Sequence, residues 1–496
     1  MIFLFLTSGL FLGWSLGAND AANVFGTAVG TKMLRFKTAA LIASVFVVIG
    51  AVVGGSGAAH TLGKLGAVNA LPGSFMVALG AAFTVYMMTR FRLPVSTSQA
   101  VVGSIIGWNF FSNTLTDYNT FGKIVSTWVL CPVLSAIIAI ILFKLTKMIF
   151  NSIKLHLLRQ DTYVRYGLII VGAFGAYSLG ANNIANVMGV FVPSVPFEPL
   201  NVYGLFTVTG TQQLFFIGGL AIAVGVLTYS HKVMDTVGGG LMKLSPVTAL
   251  VVVFTQAIVL FVFSSEQLEN WLVSHGLPAF PLVPVSSSQA VIGAVLGISL
   301  ARGGRGIHFK VLGGISSGWI TTPVIACLIT FIGLFFLQNV FSQTVSKKSE
   351  YRISKEVVDF LELNHIQDEG LSAVENRTFY NSLRLSAMLK KNTSLNNGEI
   401  KKVIDFSRID SLYINPNISA DKLDTNWFTE KQLTALEKLA GRKYIHYWQF
   451  NADLQQNDAW KLKPETKLNK LFNNEIKQKI EYLLNLYKSE SKKENY

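Results

Sequence analysis

Long apolar runs separated by short polar segments make up the first 340 residues of the 496-residue chain. Several runs reach the roughly 20 residues that a helix needs to cross the hydrocarbon core of a bilayer. Two of them, 95–111 and 285–300, are shorter and follow proline, which predicts re-entrant half-helices. Residues 1–18 lack the basic start of a signal peptide, so we predict a retained first helix. The other runs occupy residues 38–59, 73–89, 124–143, 164–180, 204–229, 245–264 and 311–337.

The distribution of charge divides the chain into two parts. Residues 1–340 carry 17 Lys and Arg and 7 Asp and Glu, whereas residues 341–496 carry 25 and 21. Only 14% of the whole chain is charged, against about 25% in soluble proteins, so a single soluble enzyme is disfavoured. We therefore predict an all-α polytopic membrane protein followed by a soluble, mainly helical C-terminal region.

The formal net charge of +14 does not by itself indicate a nucleic-acid partner. Most of the excess lies in short loops at 32–37, 144–165 and 302–310, and the positive-inside rule explains such loops when they stay in the cytoplasm. We therefore predict a multi-pass protein of the cytoplasmic membrane that contacts the lipid bilayer and no nucleic acid. Cys131 and Cys327 lie in apolar runs, so neither a disulfide framework nor a zinc site is indicated.

Two motifs occur twice in the apolar part of the chain. SLGANDAAN at 15–23 returns as SLGANNIAN at 178–186, with seven identities in nine, and PVSTSQAVVGSIIG at 94–107 returns as PVSSSQAVIGAVLG at 284–297, with nine in fourteen. We therefore predict two transmembrane repeats, 1–165 and 166–340, ahead of a C-terminal polar domain, 341–496.

The orientation of the two repeats follows from the first hairpin. If residues 73–111 enter and leave the membrane on one side, the second repeat begins in the cytoplasm and runs the other way. This predicts inverted-topology repeats with broken helices and re-entrant hairpins, an architecture typical of secondary transporters. A parallel repeat is the alternative, and it would require an extra or a missing crossing in each half.

The C-terminal region shows helix signals but no motif that carries chemistry. Thr429 with Gln432 fits a capping box, and residues 476–487 have an amphipathic pattern. The side of the membrane on which this region lies stays open. Strict inversion puts it outside, whereas Lys347 and Lys348 favour the cytoplasm.

The first repeated motif places polar side chains within apolar helices, where each unsatisfied group is costly. Its polar positions lie three or four residues apart and so share one helical face. Carboxylate and amide oxygens suit a small cation, and amide NH2 groups can donate to an oxyanion. A loop just outside the membrane is the alternative interpretation. The residues are Asn19, Asp20 and Asn23 in the first copy and Asn182, Asn183 and Asn186 in the second.

The second repeated motif stacks hydroxyls and an amide after a proline, at the start of an apolar run. The N-terminus of a half-helix there would expose N–H groups and a positive dipole end, which together form an uncharged anion site. Ordinary capping is the alternative, although one hydroxyl would suffice for it. The residues are Ser96, Thr97, Ser98 and Gln99, with the copy Ser286, Ser287, Ser288 and Gln289.

On these four motifs, residues 1–340 resemble the inorganic phosphate transporter family. The resemblance implies secondary transport of phosphate coupled to Na⁺ or H⁺, no cofactor, and commonly a homodimer. It implies that phosphate contacts Asn23, Asn186, Ser96, Thr97, Ser98, Ser286, Ser287 and Ser288. The coupling cation would contact Asn19, Asp20, Asn182, Asn183, Gln99 and Gln289, with Asp20 as the expected sodium ligand.

Two departures from the family pattern affect these expectations. Asn183 stands where many members have Asp, which removes one anionic ligand and can change the coupled cations. Gln99 and Gln289 stand where many phosphate carriers have His, and the family also includes sulfate permeases. Sulfate or another tetrahedral oxyanion is therefore the alternative substrate.

The functional hypothesis is cation-coupled symport by alternating access. If sodium drives uptake, Asp20 stays ionised, and if protons drive it, Asp20 must bind and release a proton. A membrane-anchored sensor or enzyme acting through the C-terminal region is one alternative. A passive channel is another, and the repeat architecture favours a carrier over both.

Overall fold

The structure is a computed structural model. The residues that it describes are 2–66, 68–90, 95–152, 156–194, 197, 200–202, 206–231, 245–304, 309–416, 423, 427–464 and 469–490.

The first half is helical throughout most of its described residues. It contains α1 (Ile2–Gly30), α2 (Phe36–Gly54), α3 (Ser56–Leu65), α4 (Leu71–Arg90), α5 (Thr97–Ser112) and α6 (Tyr118–Ser152). The second half contains α7 (Leu157–Met188), a 3₁₀ turn (Gly189–Phe191), the antiparallel strands β1 (Leu200–Val202) and β2 (Phe206–Val208), α8 (Gly210–Thr228), α9 (Pro246–Ser264), α10 (Glu266–Ser274), α11 (Ser287–Ala301) and α12 (Phe309–Asn339).

Among the described residues, eight helices are long and apolar enough to cross a membrane: α1, α2, α4, α6, α7, α8, α9 and α12. This confirms the predicted polytopic helical fold. Helices α5 and α11 are shorter and begin after the extended residues Ser96 and Ser286, as predicted for half-helices. In contrast, α1 and α7 continue without a break through the motifs that the apolar pattern placed near helix ends. The predicted repeat boundary at 165–166 falls inside α7.

The two halves exchange packing partners. Helix α2 packs on α7 while its counterpart α8 packs on α1, and α5 packs on α12 while its counterpart α11 packs on α6. Matched glycines permit these contacts. A Cβ at Gly103 would overlap the backbone carbonyl of Pro323, and one at Gly293 would overlap that of Pro132. The reciprocal contacts are those expected of a pseudo-twofold relation, and the inverted orientation of the repeats stays a prediction.

The basic loops gather at one end of the helical bundle. The side chain of Arg302, which follows α11, lies 5.0 Å from the ring centroid of Phe143 in α6 and donates to Thr248 at the start of α9. Phe25, near the end of α1, packs on Gly172 in the first half of α7. We call this the basic end, formed by residues 30–37, 143–152, 156–172, 245–250 and 302–304.

The C-terminal region is attached to the opposite end. The Trp108 indole donates to the carbonyl of Val345 (3.1 Å), and the Asn69 amide pairs with both backbone groups of Lys347 at 2.9 Å. Leu115 packs against the C-terminal hydrophobic core, its N–H donates to Ser382 (3.3 Å), and Lys401 forms an ion pair with Asp117. These contacts place the C-terminal region away from the basic end.

The C-terminal region is mainly helical, as predicted. The Thr429–Gln432 capping box is present, and the last helix includes the amphipathic residues 476–487. Two hydrophobic clusters stabilise it, one within 353–404 and one within 412–487. The helices are α13 (Lys355–Leu363), α14 (Ser382–Asn392), α15 (Asn397–Ser407), α16 (Glu430–Glu437), α17 (Tyr447–Gln455) and α18 (Lys470–Glu490), with a 3₁₀ turn at Glu369–Val374. The strands are β3 (Glu350–Arg352), β4 (Thr378–Phe379), β5 (Arg408–Ile409), β6 (Leu412–Tyr413) and β7 (Lys443–Tyr444), all paired antiparallel.

Candidate functional site

The two copies of the first motif meet the opposite half-helices inside the bundle. The amide of Asn23 in α1 donates to Ser287 at the start of α11 (3.1 Å), and the amide of Asn186 in α7 donates to Ser98 at the start of α5 (2.8 Å). Asn23 is 8% exposed and Asn186 is fully buried. A loop outside the membrane is therefore the wrong interpretation of these motifs.

The extended residues before the two half-helices lie side by side. Ser98 donates to the carbonyl of Val285 (3.3 Å), and the equivalent Ser288 donates to the carbonyl of Val95 (2.9 Å). Asn182 also holds both backbone groups of Val285, at 2.8 and 3.0 Å. The sequence brings the two proline-led segments together because each one satisfies the backbone of the other.

The hydroxyls of the second motif divide into two roles. Ser96 and Ser286 cap their helices by accepting from the backbone N–H of Gln99 and Gln289, both at 3.3 Å. The capping interpretation is therefore correct for these two residues. The other hydroxyls are buried and do not cap: Ser98 and Ser288 donate to the opposite extended segment and Ser287 accepts from Asn23, whereas Thr97 Oγ1 has no partner.

Asp20 brings a carboxylate into this buried cluster. It is 3% exposed, it accepts from the amide of the half-buried Asn19 (3.2 Å), and it is hydrogen-bonded to Ser287. The matching contact in the second half joins the Asn182 amide to the Asn183 oxygen at 3.3 Å, without any charge. The described residues contain no group of three or more His, Cys, Asp or Glu side chains suited to a metal ion. The oxygen-rich set around Asp20 instead suits a hard cation such as sodium.

Several polar atoms of the cluster are buried and lack a hydrogen-bond partner. Such atoms are rare in folded proteins because burying an unpaired polar group costs free energy, so they indicate where a bound ion would lie. Both donors and acceptors occur among them, as a site for an oxyanion and a cation requires. The atoms are Thr97 Oγ1, Asn183 Nδ2, Asn186 Oδ1, Gln99 Oε1 and Gln289 Oε1.

Sequence reasoning missed two groups in helices that pack on the second half-helix, α6 and α9. In α6, Cys131 donates to the carbonyl of Ser286 (3.7 Å) and Ser135 donates to that of Ala290, so both support the second half-helix. In α9, Gln256 is 1% exposed and neither side-chain polar atom has a partner. A single amide in the apolar run 246–264 was the available signal, but it has no repeated copy.

A model of the phosphate transporter family matches residues 16–269 and 279–474. The chain belongs to the phosphate transporter family. The match continues past residue 340, so the resemblance extends beyond residues 1–340, the part of the chain to which the four motifs had assigned it. Proteins of this family are transporters, and the predicted class is confirmed.

Relatives and a solved structure agree with this assignment. A "Putative phosphate permease" of Methanocaldococcus jannaschii is 28% identical over 66% of this chain and 95% of its own length. A "Probable low-affinity inorganic phosphate transporter" of Bacillus subtilis is 25% identical over 66% of this chain and 93% of its own length. A solved structure of a protein named "The sodium-dependent phosphate transporter" has a TM-score of 0.52 and 24% identity, and it covers 68% of this chain and 99% of that one. That likeness supports the transporter fold.

Proposed function

We propose that this member of the phosphate transporter family is a cation-coupled symporter that carries inorganic phosphate by alternating access. The observation that supports it most is the set of unpartnered donors and acceptors from both halves, buried around a single carboxylate. A site with both kinds of atom can bind an anion and a cation together, and the charge of each offsets that of the other.

The anion would bind where the starts of α5 and α11 meet. Two helix N-termini supply positive dipole ends, and hydroxyl and amide groups supply uncharged donors. Thr97 Oγ1 and Asn183 Nδ2 are the unpartnered donors among the motif residues. The names of the relatives favour phosphate over sulfate or another tetrahedral oxyanion.

The cation would bind oxygen atoms contributed by both halves. Gln99 Oε1 and Gln289 Oε1 occupy equivalent positions, are buried and lack partners, and Asp20 supplies the negative charge. The name of the solved relative favours sodium over protons. With sodium as the driver, Asp20 stays ionised throughout the cycle.

Alternating access would follow from the exchanged packing of the halves. Since α5 packs on a helix of the second repeat and α11 on one of the first, a movement of either half changes both half-helices at once. Inverted repeats that rock about a fixed central site are a known route to alternating access. A homodimer is the expected assembly on the family resemblance alone.

The sidedness follows from the basic end. We infer that this end faces the cytoplasm of a cytoplasmic membrane, which places the C-terminal region on the outer side. A cysteine at Leu363, which is 79% exposed, should react with an impermeant maleimide added to intact cells, while a cysteine at Gly303 should react only after lysis. The reverse labelling pattern would contradict this orientation.

Transport in reconstituted vesicles tests the whole proposal. Radiolabelled phosphate uptake is measured with an inward sodium gradient, an inward proton gradient, or neither, and with excess sulfate as competitor. We expect uptake that requires the sodium gradient and resists sulfate. Uptake that follows the phosphate gradient alone would indicate a channel, and uptake driven only by protons would assign the coupling to protonation of Asp20.

A further inference from the structure

Gln256 is a buried amide outside the repeated motifs. It lies in α9, is 1% exposed, and neither Nε2 nor Oε1 has a hydrogen-bond partner. An amide inside the hydrocarbon layer with no partner is costly, and polar side chains at such positions commonly serve binding or transport. This raises the question of what space the side chain faces.

Helix packing fixes the depth of Gln256 in the bundle. Val24 of α1 and Ala257 of α9 both pack around Gly175 of α7, at 3.1 and 3.6 Å from the place where its Cβ would lie. Gln256 is one residue from Ala257, and Asn23 is one residue from Val24. With a rise of 1.5 Å per residue, Gln256 therefore lies at nearly the same depth as Asn23.

The packing of α9 limits where the side chain of Gln256 lies. Helix α9 packs on both α11 and α1. Helices α9 and α11 run antiparallel, since Arg302 after α11 bonds Thr248 at the start of α9. Val252, one turn before Gln256, lies in one hydrophobic cluster with residues 291–298 of α11. Going one turn further along α9 therefore leads from that cluster to Gln256 and toward the start of α11, where Ser287 lies.

The first repeat has no counterpart to this amide. Residues 78–84 of α4 and 249–255 of α9 share Ala, Leu, Phe and Thr at the same spacing. The next position is Val85 in the first repeat and Gln256 in the second. The amide is thus a feature of one half, at nearly the depth of the motif that carries Asp20.

The bonds already made limit the donors at this place. The Asn23 amide uses one N–H on Ser287, and the Asn19 amide uses one N–H on Asp20, so each has one N–H left. Of the amides described on this side of the site, Gln256 keeps both N–H groups free. An oxyanion approaching the Asp20 carboxylate needs donors there to offset repulsion.

We propose that Gln256 is a further binding residue of the central site and donates from Nε2 to the transported oxyanion. This inference rests on the proposed transport of phosphate. It predicts that the residue sets the affinity for the anion and leaves the affinity for the cation unchanged.

The test replaces Gln256 with Met, which has a similar length and no donor. With sodium saturating, the KM for phosphate should rise about tenfold or more, as expected for a lost hydrogen bond to a charged group. The sodium half-saturation should stay within about twofold of the wild type. In purified protein, the thermal stabilisation by inorganic phosphate should shrink in parallel. The control is Thr84→Val in α4, whose hydroxyl already bonds the Gly80 carbonyl (2.7 Å), and it should leave the phosphate KM unchanged.

An unchanged phosphate KM in Gln256→Met, or a shift confined to sodium, would overturn the inference. If Gln256→Met does not fold, Gln256→Leu is a smaller side chain that also lacks a donor and adds no charge, and the same increase in KM is expected. Absence of phosphate uptake in the wild-type protein would instead refute the proposed function, so the two failures are distinguishable.

Discussion

The two halves of the transmembrane region share their packing contacts and differ in their charged and polar side chains. Gly17 packs on Ile222 while its counterpart Gly180 packs on Val47. Ser98 and Ser288 each donate to the extended segment of the other half. The charged and polar groups are not matched. Asp20 corresponds to Asn183, and Val85 corresponds to Gln256. Packing constrains both copies alike, whereas the transport that we propose needs one carboxylate at the site and not two.

The largest expected effect comes from removing the carboxylate of Asp20, whose counterpart in the second half is the uncharged Asn183. Asp20→Asn keeps the shape and leaves a cation in a buried site without a counter-charge, so coupled phosphate uptake should be abolished. The measurement is sodium-driven uptake in vesicles at equal protein content. Asp161→Asn, an exposed carboxylate at the basic end, is the control and should transport normally. Undiminished uptake in Asp20→Asn would refute the role of Asp20.

We expect the same loss of stability when either of two equivalent glycine contacts, one in each half, is disturbed. Gly103→Ala and Gly293→Ala each force a Cβ into a backbone carbonyl, and overpacking of this kind costs about 1–3 kcal/mol or more. Thermal unfolding in detergent should therefore show a similar loss for both variants. Gly122→Ala in α6 has nothing within 4 Å and should not lower stability. A loss in only one of the two variants would mean that the halves are not equivalent in packing.

The difference in predictability between the parts has a physical basis. The candidate site could be predicted because Asn23 and Asn186, like the two serine motifs, recur with the same spacing inside each motif, and a binding role explains two copies better than chance does. Gln256 has no copy, so one amide in an apolar run could not be told from a packing residue. The continuity of α1 through its motif was also hidden, because polar residues resemble a helix end until their partners are known.

The attachment of the C-terminal region could not be predicted from the sequence for a related reason. It depends on backbone groups of Val345 and Lys347 that meet Trp108 and Asn69. Backbone donors and acceptors have no residue-specific pattern. The positive charge of Lys347 and Lys348 gave a weak signal toward the cytoplasm, and the structure places this segment opposite the basic end.

A moderate effect is expected when the second half is made chemically like the first. Asn183→Asp adds a carboxylate and removes the free Nδ2 donor, while its oxygen still accepts from Asn182 and Asn186. We expect phosphate KM to rise roughly tenfold and uptake to depend more steeply on sodium, because a second charge needs a second cation. Sodium titrations of initial uptake rates measure both. An unchanged sodium dependence would show that Asn183 is not near the cation.

A smaller effect on transport is expected from removing the C-terminal region, provided that its linker remains. Deleting residues 349–496 spares every residue of the central site and should reduce uptake by less than about threefold. Deleting 341–496 also removes Val345, which is fully buried against the bundle, and this loss should lower thermal stability. Equal behaviour of the two truncations would mean that the linker contacts contribute little.

The smallest effect concerns the ion pair that joins the two regions. Partial burial favours a higher pKa for Asp117, but hydrogen bonds from Lys401 and Thr120 outweigh it and hold the pKa below its ordinary value. The pair therefore contributes at neutral pH, and its contribution is lost as the pH falls through the lowered pKa of Asp117. Exposed pairs contribute only about 0.2–1 kcal/mol, so Lys401→Met should speed proteolysis of the linker a few-fold at about pH 7 and leave transport unchanged. The difference from wild type should vanish in acid, and a difference that persists at low pH would assign the effect to packing of the Lys401 stem.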